Sequence, residues 1–177
     1  MPTFLRGTDE PMETSLQQFL KAYDDFADAI FRYCYIRVFE REMANDLVQE
    51  TFVRTWKYMA EGKEIQNIRA FLYKTATNLI IDQKRKKTAV SFELLQEKGL
   101  LPRHTNGTEK LVESIDAKDA LQKLSQLPSH YGEVVAMRYV EELSVREIAE
   151  ILGETENTIS VRIHRALQAL RKIIPYE

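Results

Sequence analysis

The stretch LSVREIAEILGETENTISVRIHRALQALRKII, from Leu143 to Ile174, narrows the fold more than any other part of the chain. It calls for two helices with a tight turn between them. Ser144 and Glu147 form an S-x-x-E capping box, in which hydroxyl and carboxylate each satisfy a backbone N–H left over at a helix start. Ile148, Ala149 and Leu152 give the first helix an apolar side. Gly153 follows where a left-handed residue closes a helix, a conformation that costs glycine nothing sterically. Thr155 caps the second helix. Ile159, Ile163, Ala166, Leu167 and Leu170 recur at helical spacing and make its buried stripe.

The opposite side of that second helix carries the chemistry. Asn157, Val161, His164 and Gln168 point away from the stripe, flanked by Thr158, Ser160 and Arg165, and no acid occurs between Thr158 and Ile174. A helix that buries one face and shows a cationic, hydrogen-bonding face is what recognition in a DNA major groove requires. An ordinary helical hairpin with a solvated polar face has the same gross pattern. The short first helix, the Gly turn and the long basic second helix together favour DNA binding.

Apolar spacings of three and four recur through the rest of the 177 residues, and few runs look like strands, so the expected fold class is all-α. A single Cys34 excludes an internal disulfide and suits a reducing compartment. Neither a bilayer-spanning apolar run nor a signal-peptide pattern is present, so the expected location is cytoplasmic, without membrane insertion. The net charge of −2 argues against a generally basic coat for nucleic acid. The charge is instead sorted along the chain. Acids outnumber bases between Asp9 and Glu64, whereas Asp82 is the only acid among the six bases from Arg69 to Lys87. Any contact with nucleic acid is therefore local.

Taken in order, residues 1–13 are polar and hold Pro2, Gly7 and Pro11, which suggests a loose tail. A first domain is expected over 14–87. Its first helix, about Ser15 to Phe39, steps Leu16, Phe19, Leu20, Tyr23, Phe26, Ile30, Phe31, Cys34 and Val38 along one face, read as core. The second helix, Glu42 to Met59, buries Val48, Phe52, Thr55 and Met59 with Trp56 at the edge. Its Asp46, Gln49 and Glu50 share another face, which suits a docking surface or simple solvation equally. After the polar loop Ala60 to Asn67 comes a third helix, Ile68 to Lys87, with Ile68, Leu72, Thr75, Ala76 and Leu79 toward the core. Its opposite arc carries Arg69, Tyr73, Lys74, Thr77, Asn78, Lys84 and Arg85. Cations, amide and hydroxyl groups and an aromatic ring on one face suit a nucleic-acid strand, with bases on the ring and phosphates on the cations. Residues 88–112 lose periodicity and hold Gly99, Pro102 and Gly107, as a linker does, although Phe92, Leu94 and Leu95 leave it partly apolar. A second domain of four short helices is expected over 113–177. The first covers Glu113 to Gln126. The next starts at Pro128 and draws its apolar surface from Val134, Val135, Met137, Tyr139 and Val140, with Arg138 among them.

Three of these segments carry a resemblance. DLVQETFVRTWKYM, then IRAFLYKTATNLIIDQKRKK, then LPSHYGEVVAMRYVEELSVREIAEILGETENTISVRIHRALQAL resemble, in order, spacing and length, bacterial RNA polymerase sigma factors of the extracytoplasmic-function (ECF) group, which keep only regions two and four. The match covers nearly everything from Ser15 onward. It implies two small helical domains joined by a linker, the C-terminal one with a helix-turn-helix. It also implies a protein that binds core RNA polymerase and directs it to promoter DNA with two short elements. By similarity, Asp46, Leu47, Gln49, Glu50, Phe52 and Trp56 dock on the clamp helices of the largest catalytic subunit. Lys63, Asn67, Arg69, Tyr73, Lys74, Thr77, Asn78, Lys84 and Arg85 would read the minus-ten element as it opens, with the Lys63 to Asn67 loop holding a flipped-out base. Arg138, Asn157, Thr158, Ser160, Val161, His164 and Arg165 would read the duplex minus-thirty-five element. An anti-sigma partner is implied as a class, without any residue that identifies one.

Many relatives have Arg in place of Ser160 and Ser in place of Val161, so a promoter sequence does not carry over. Val161 offers apolar contact to a thymine methyl rather than a hydrogen bond. A stand-alone helix-turn-helix regulator, with a sensing or dimerising first domain, explains Leu143 to Ile174 equally well. It leaves the basic face of the third helix and the Asp46 to Trp56 patch without a use. His104, His130 and His164 are isolated, no Gly-rich phosphate loop occurs, and no nucleophile has a recognisable setting. The expected protein is therefore not an enzyme and uses no metal or cofactor.

Overall fold

The computed structural model describes residues 10–98, 120 and 122–174. Helices are the only regular secondary structure among them. The first domain contains α1 (Glu10–Val38), α2 (Arg41–Ala60) and α3 (Ile68–Lys98). The second contains α4 (Ser129–Val135), a π-helical turn (Ala136–Val140), α5 (Val145–Leu152) and α6 (Glu156–Ile173).

α1 begins before the expected Ser15 and takes in the end of the supposed tail, whose residues 1–9 lie outside the described residues. Its apolar stripe is not buried evenly. Leu16, Leu20 and Tyr23 are exposed, whereas Ile30, Tyr33, Cys34 and Arg37 are buried. The buried end lies where α2, α3 and the second domain all reach α1. Asn67 starts α3 by accepting the Ala70 N–H on its side-chain oxygen at 3.0 Å, which satisfies an otherwise orphan donor. α3 then runs past the expected Lys87 to Lys98, so the first part of the expected linker 88–112 is helical. No Gly or Pro interrupts Thr88 to Lys98, and the first breaker is Gly99. Of the expected helix Glu113 to Gln126, Ala120 and residues 122–125 are helical, and the remaining part up to residue 121 lies outside the described residues.

The second domain departs from expectation at one place. After α4 the chain widens into a π-turn, in which Glu141 N–H donates to Ala136 O at 3.0 Å and Leu143 N–H to Met137 O at 2.9 Å. The wider turn changes which side chains face inward. Met137 is buried, but Tyr139 and Val140, expected in the apolar surface, are exposed. Arg138 donates to Leu143 O at 3.0 Å and braces the turn. Glu142 adopts a left-handed φ of 55°, a conformation that costs a non-glycine residue about 1–2 kcal/mol.

The helix-turn-helix follows its sequence signals. Ser144 Oγ accepts the Glu147 N–H at 3.2 Å, and Glu147 Oε2 accepts the Ser144 N–H at 2.8 Å. These bonds to Ser144 hold the Glu147 carboxyl below its ordinary value. Gly153 ends α5 at φ 68°, and Thr155 caps α6 through the Thr158 N–H. Ile159, Ile163 and Ala166 are buried, and Leu167 and Leu170 are partly so. One continuous apolar core runs from Ile30, Leu72 and Ile80 in the first domain to Met137, Leu143 and Ile148 in the second. α3 packs on α5, while α1 packs on α4 and the π-turn.

Candidate nucleic-acid interface

α6 presents its polar face to solvent. Asn157, Thr158, Ser160, Val161, His164 and Arg165 are all exposed, on the side away from Ile159, Ile163 and Ala166. His164 and Gln168, one turn apart, share a 3.0 Å hydrogen bond. Arg162 pairs with Glu154, which ties the body of the helix to the turn before it. Arg138 is exposed close by in sequence, on the π-turn. The face thus combines a cation, amides, hydroxyls and one apolar side chain, a set able to read base edges while a cation meets phosphate.

α3 is different. The polar arc read from sequence divides in two. At about 100° per residue, Arg69, Tyr73, Thr77 and Lys84 fall within one band of about 80°, and Lys74, Asn78 and Arg85 within a neighbouring band of about 40°. The second band is exposed as expected. The first turns toward protein at Arg69, Tyr73 and Thr77, whereas Lys84 is exposed and reaches the second domain from the edge. Tyr73 and Thr77, expected on the open face, are buried. Thr77 Oγ1 meets Tyr33 Oη at 2.9 Å inside the first domain. Tyr73 Oη donates to Glu141 Oε2 of the second domain at 2.8 Å. Arg69 donates to Glu141 O at 2.6 Å and lies 3.5 Å from Glu147. Lys84 donates to Ser129 Oγ at 2.7 Å, and burial lowers its pKa from the ordinary lysine value. The physical reason is position: α3 touches α1 and α2 on one side and α5 on another, which encloses Tyr73 and Thr77 while Lys74, Asn78, Lys84 and Arg85 stay exposed.

The loop before α3 is open. Lys63 is exposed, pairs with Glu61 and sits 5.0 Å from the centre of the Tyr58 ring. Asn67 is exposed too, with its side-chain oxygen engaged in the cap. On α2, Asp46, Gln49 and Glu50 form a solvent-facing ridge, Glu50 pairing with Arg54 at 2.7 Å. Leu47 and Phe52, placed in the same docking set by resemblance, lie in the core at 3% exposure each. They face the other side of α2, where Phe52 meets Phe19 and Tyr23 with ring centres 6.1 and 4.8 Å apart. Trp56 is half-buried against Phe19 at 5.2 Å. Buried Cys34 has its thiol pushed up to about 12, chiefly by burial, so it stays protonated and is no nucleophile.

Sequence reasoning did not single out the polar junction between the domains. Glu141, its side chain 1% exposed, receives Tyr73 and lies 3.3 Å from Arg32. Burial raises its carboxyl above the ordinary value, and burial with the Glu141 charge pushes the Tyr73 phenol up. Arg37, also buried, pairs with Glu133 at 3.0 Å and donates to Ser129 O at 2.6 Å. A usable signal was present at two positions: Arg37 and Glu133 are charges with apolar residues beside them in helical segments.

Among the described residues no group of His, Cys, Asp or Glu could hold a metal ion. The family models of sigma-70 region 2 and sigma-70 region 4 match residues 22–90 and 118–170. The chain is 31% identical over 169 residues to the ECF RNA polymerase sigma factor SigW of Bacillus subtilis, covering 87% of this chain and 87% of the relative. It is 30% identical over 152 residues to the RNA polymerase sigma factor YlaC of the same organism, covering 85% and 88%. Its fold is similar to that of the sigma factor RpoE, solved in complex with the anti-sigma factor NepR from Bartonella quintana. That match has a TM-score of 0.74 and 22% identity, and covers 89% of this chain and 96% of that one.

Proposed function

The chain belongs to the ECF group of RNA polymerase sigma factors, and from that membership we propose how its own residues act. A sigma factor binds core RNA polymerase and directs it to specific promoters for initiation. Here the α2 ridge of Asp46, Gln49 and Glu50, with the edge of Trp56, docks on the clamp helices of the largest subunit. Leu47 and Phe52 support that ridge from beneath. Lys63, Asn67, Lys74, Asn78 and Arg85 meet the minus-ten element, joined by Arg69, Tyr73 and Lys84 when the second domain moves away. Thr77 supports the same face from the first-domain core. A flipped-out base of the non-template strand costs a few kcal/mol of stacking, roughly, which the Lys63 to Asn67 loop offsets by hydrogen bonds and contact.

The α6 face reads the duplex minus-thirty-five element. Arg165 and Arg138 set register on phosphates, and Asn157, Thr158, Ser160, Val161 and His164 face base edges. The free protein binds promoters weakly. Polymerase holds the two domains at the promoter spacing and so raises the effective concentration of the second contact. Catalysis belongs to polymerase, and this chain works in the cytoplasm beside it, without metal or cofactor. An anti-sigma factor is the class of regulator we carry over. Among the described residues no helix is long and apolar enough to cross a membrane.

The observation that carries this reading is the α6 face: six side chains exposed on a helix whose other side is locked in the core. In vitro transcription with core polymerase on a genomic DNA pool, followed by start-site mapping, tests it. Start sites should share two upstream elements at fixed separation. A protein that neither co-elutes with core polymerase nor changes the transcript pattern is not the factor described here.

A further inference from the structure

We propose that Glu141 is a latch that holds the second domain over the Arg69–Tyr73–Lys84 side of α3, leaving the α6 face open. The free chain would then cover part of one DNA-binding surface with the other domain's body. Reading the covered side as a minus-ten face rests on the function proposed above; the latch itself does not.

Four observations converge on this junction. The Glu141 carboxylate crosses from the second domain to Tyr73 at 2.8 Å and Arg32 at 3.3 Å, while its backbone oxygen takes Arg69 at 2.6 Å. The backbone that delivers it is unusual on both sides: the π-turn precedes it and left-handed Glu142 follows. Single π-turns are uncommon and occur often at functional sites. Thirdly, two buried side-chain polar atoms among the described residues have no hydrogen-bond partner, Glu141 Oε1 and Arg37 Nε, and both belong to this junction. Finally, Arg37–Glu133 adds a second buried ion pair between the same two domains.

Buried ion pairs with unmet hydrogen-bonding groups are a weak way to fix a permanent core, because desolvation offsets the attraction. They suit a joint that opens. On separation Glu141, Arg32, Arg69, Arg37 and Glu133 all regain water, so exposing this surface costs less than exposing an apolar one of the same size. On the α3 side Arg69 and Tyr73 are uncovered and the exposed Lys84 is freed from Ser129, while α6 is equally exposed in either state.

The test uses the full chain with dyes on two introduced cysteines, Lys57→Cys and Lys172→Cys, both at exposed positions. Cys34→Ala in the same background removes the one native thiol, so only the introduced cysteines are labelled. Energy transfer should fall in Glu141→Ala and, by less, in Arg32→Ala. Affinity for a labelled pool of random-sequence single-stranded DNA should rise about tenfold in Glu141→Ala, since a binding-competent fraction that was small becomes dominant. Affinity for a random duplex pool should not change. Should Glu141→Ala lose its helical spectrum, the Arg32→Ala result decides, as that side chain is half exposed. Unchanged transfer in a folded variant overturns the latch. Reduced transfer without any gain in single-stranded binding supports the latch and instead removes this side of α3 from the minus-ten site.

Discussion

α3 and α6 are both amphipathic helices with cations on the side away from the apolar stripe, yet the molecule treats them oppositely. α6 has one buried face and one open face, because it lies at the edge of its domain and packs on α4 and α5 alone to any extent. α3 lies between α1, α2 and α5, so part of its polar arc, at Tyr73 and Thr77, is enclosed. A polar arc on a helix therefore announces solvent only when the helix is peripheral. On a central helix it can equally be the lining of a polar joint.

The contrast can be broken from either side. Removing the Arg37 side chain should have the largest effect, since it leaves Glu133 as an uncompensated charge in a buried site, a loss of about 3–5 kcal/mol. Because the domains can part and hydrate Glu133, the expected Arg37→Ala outcome is separation into two melting transitions in calorimetry. One cooperative transition at the wild-type temperature would show that the junction does not hold the domains together. On the α6 side, Ile159→Ala removes a fully buried side chain and should cost about 2–5 kcal/mol. Denaturant unfolding should register that cost in the second domain, with loss of duplex binding and preserved helicity in the first.

Single recognition contacts come next. Arg165→Ala should weaken duplex promoter binding while co-elution with core polymerase persists; loss of both would point to misfolding. Asn78→Ala should lower transcription from promoters limited by strand opening, by about 1–3 kcal/mol for a lost base contact. Equal transcription from wild type and Asn78→Ala would remove that side chain from base reading. The smallest effect concerns pH. Burial raises the Glu141 carboxyl in the closed arrangement above its ordinary 4.5. The closed form therefore binds a proton more readily than the open form. The protonation-linked part of closure, which adds to the contacts with Tyr73 and Arg32, is fully present below that ordinary value and is lost as pH rises through the raised one. Energy transfer between the dyes should decline over that interval; a rise would contradict the assignment.

Much of this was legible in the chain because the relevant rules are local. The capping box at Ser144 and Glu147, the left-handed Gly153 and the Thr155 cap all depend on neighbours within a turn or so, and each formed as read. The α6 face was legible for the same reason. The junction was not, because Arg32 and Glu141 are 109 positions apart and no periodicity links them. The burial of Tyr73 follows from that same distant carboxylate. The π-turn escaped as well: its five residues AMRYV carry no Gly or Pro to mark a change of pitch, and the exposure of Tyr139 and Val140 went unseen with it. The burial of Leu47 and Phe52 was not separated from the exposure of Asp46, Gln49 and Glu50 either, since a motif carried over by resemblance does not say which of its side chains face solvent.

Cys34 gives the experimenter a built-in clock. The chain's sole sulfhydryl is fully buried on α1, within reach of the Arg37 and Glu141 charges at the junction, and burial keeps it protonated at any ordinary pH. An alkylating reagent can reach it only when the core around it opens, so the labelling rate counts those openings. Comparing that rate between wild type and Glu141→Ala would show whether parting of the domains is one of those openings.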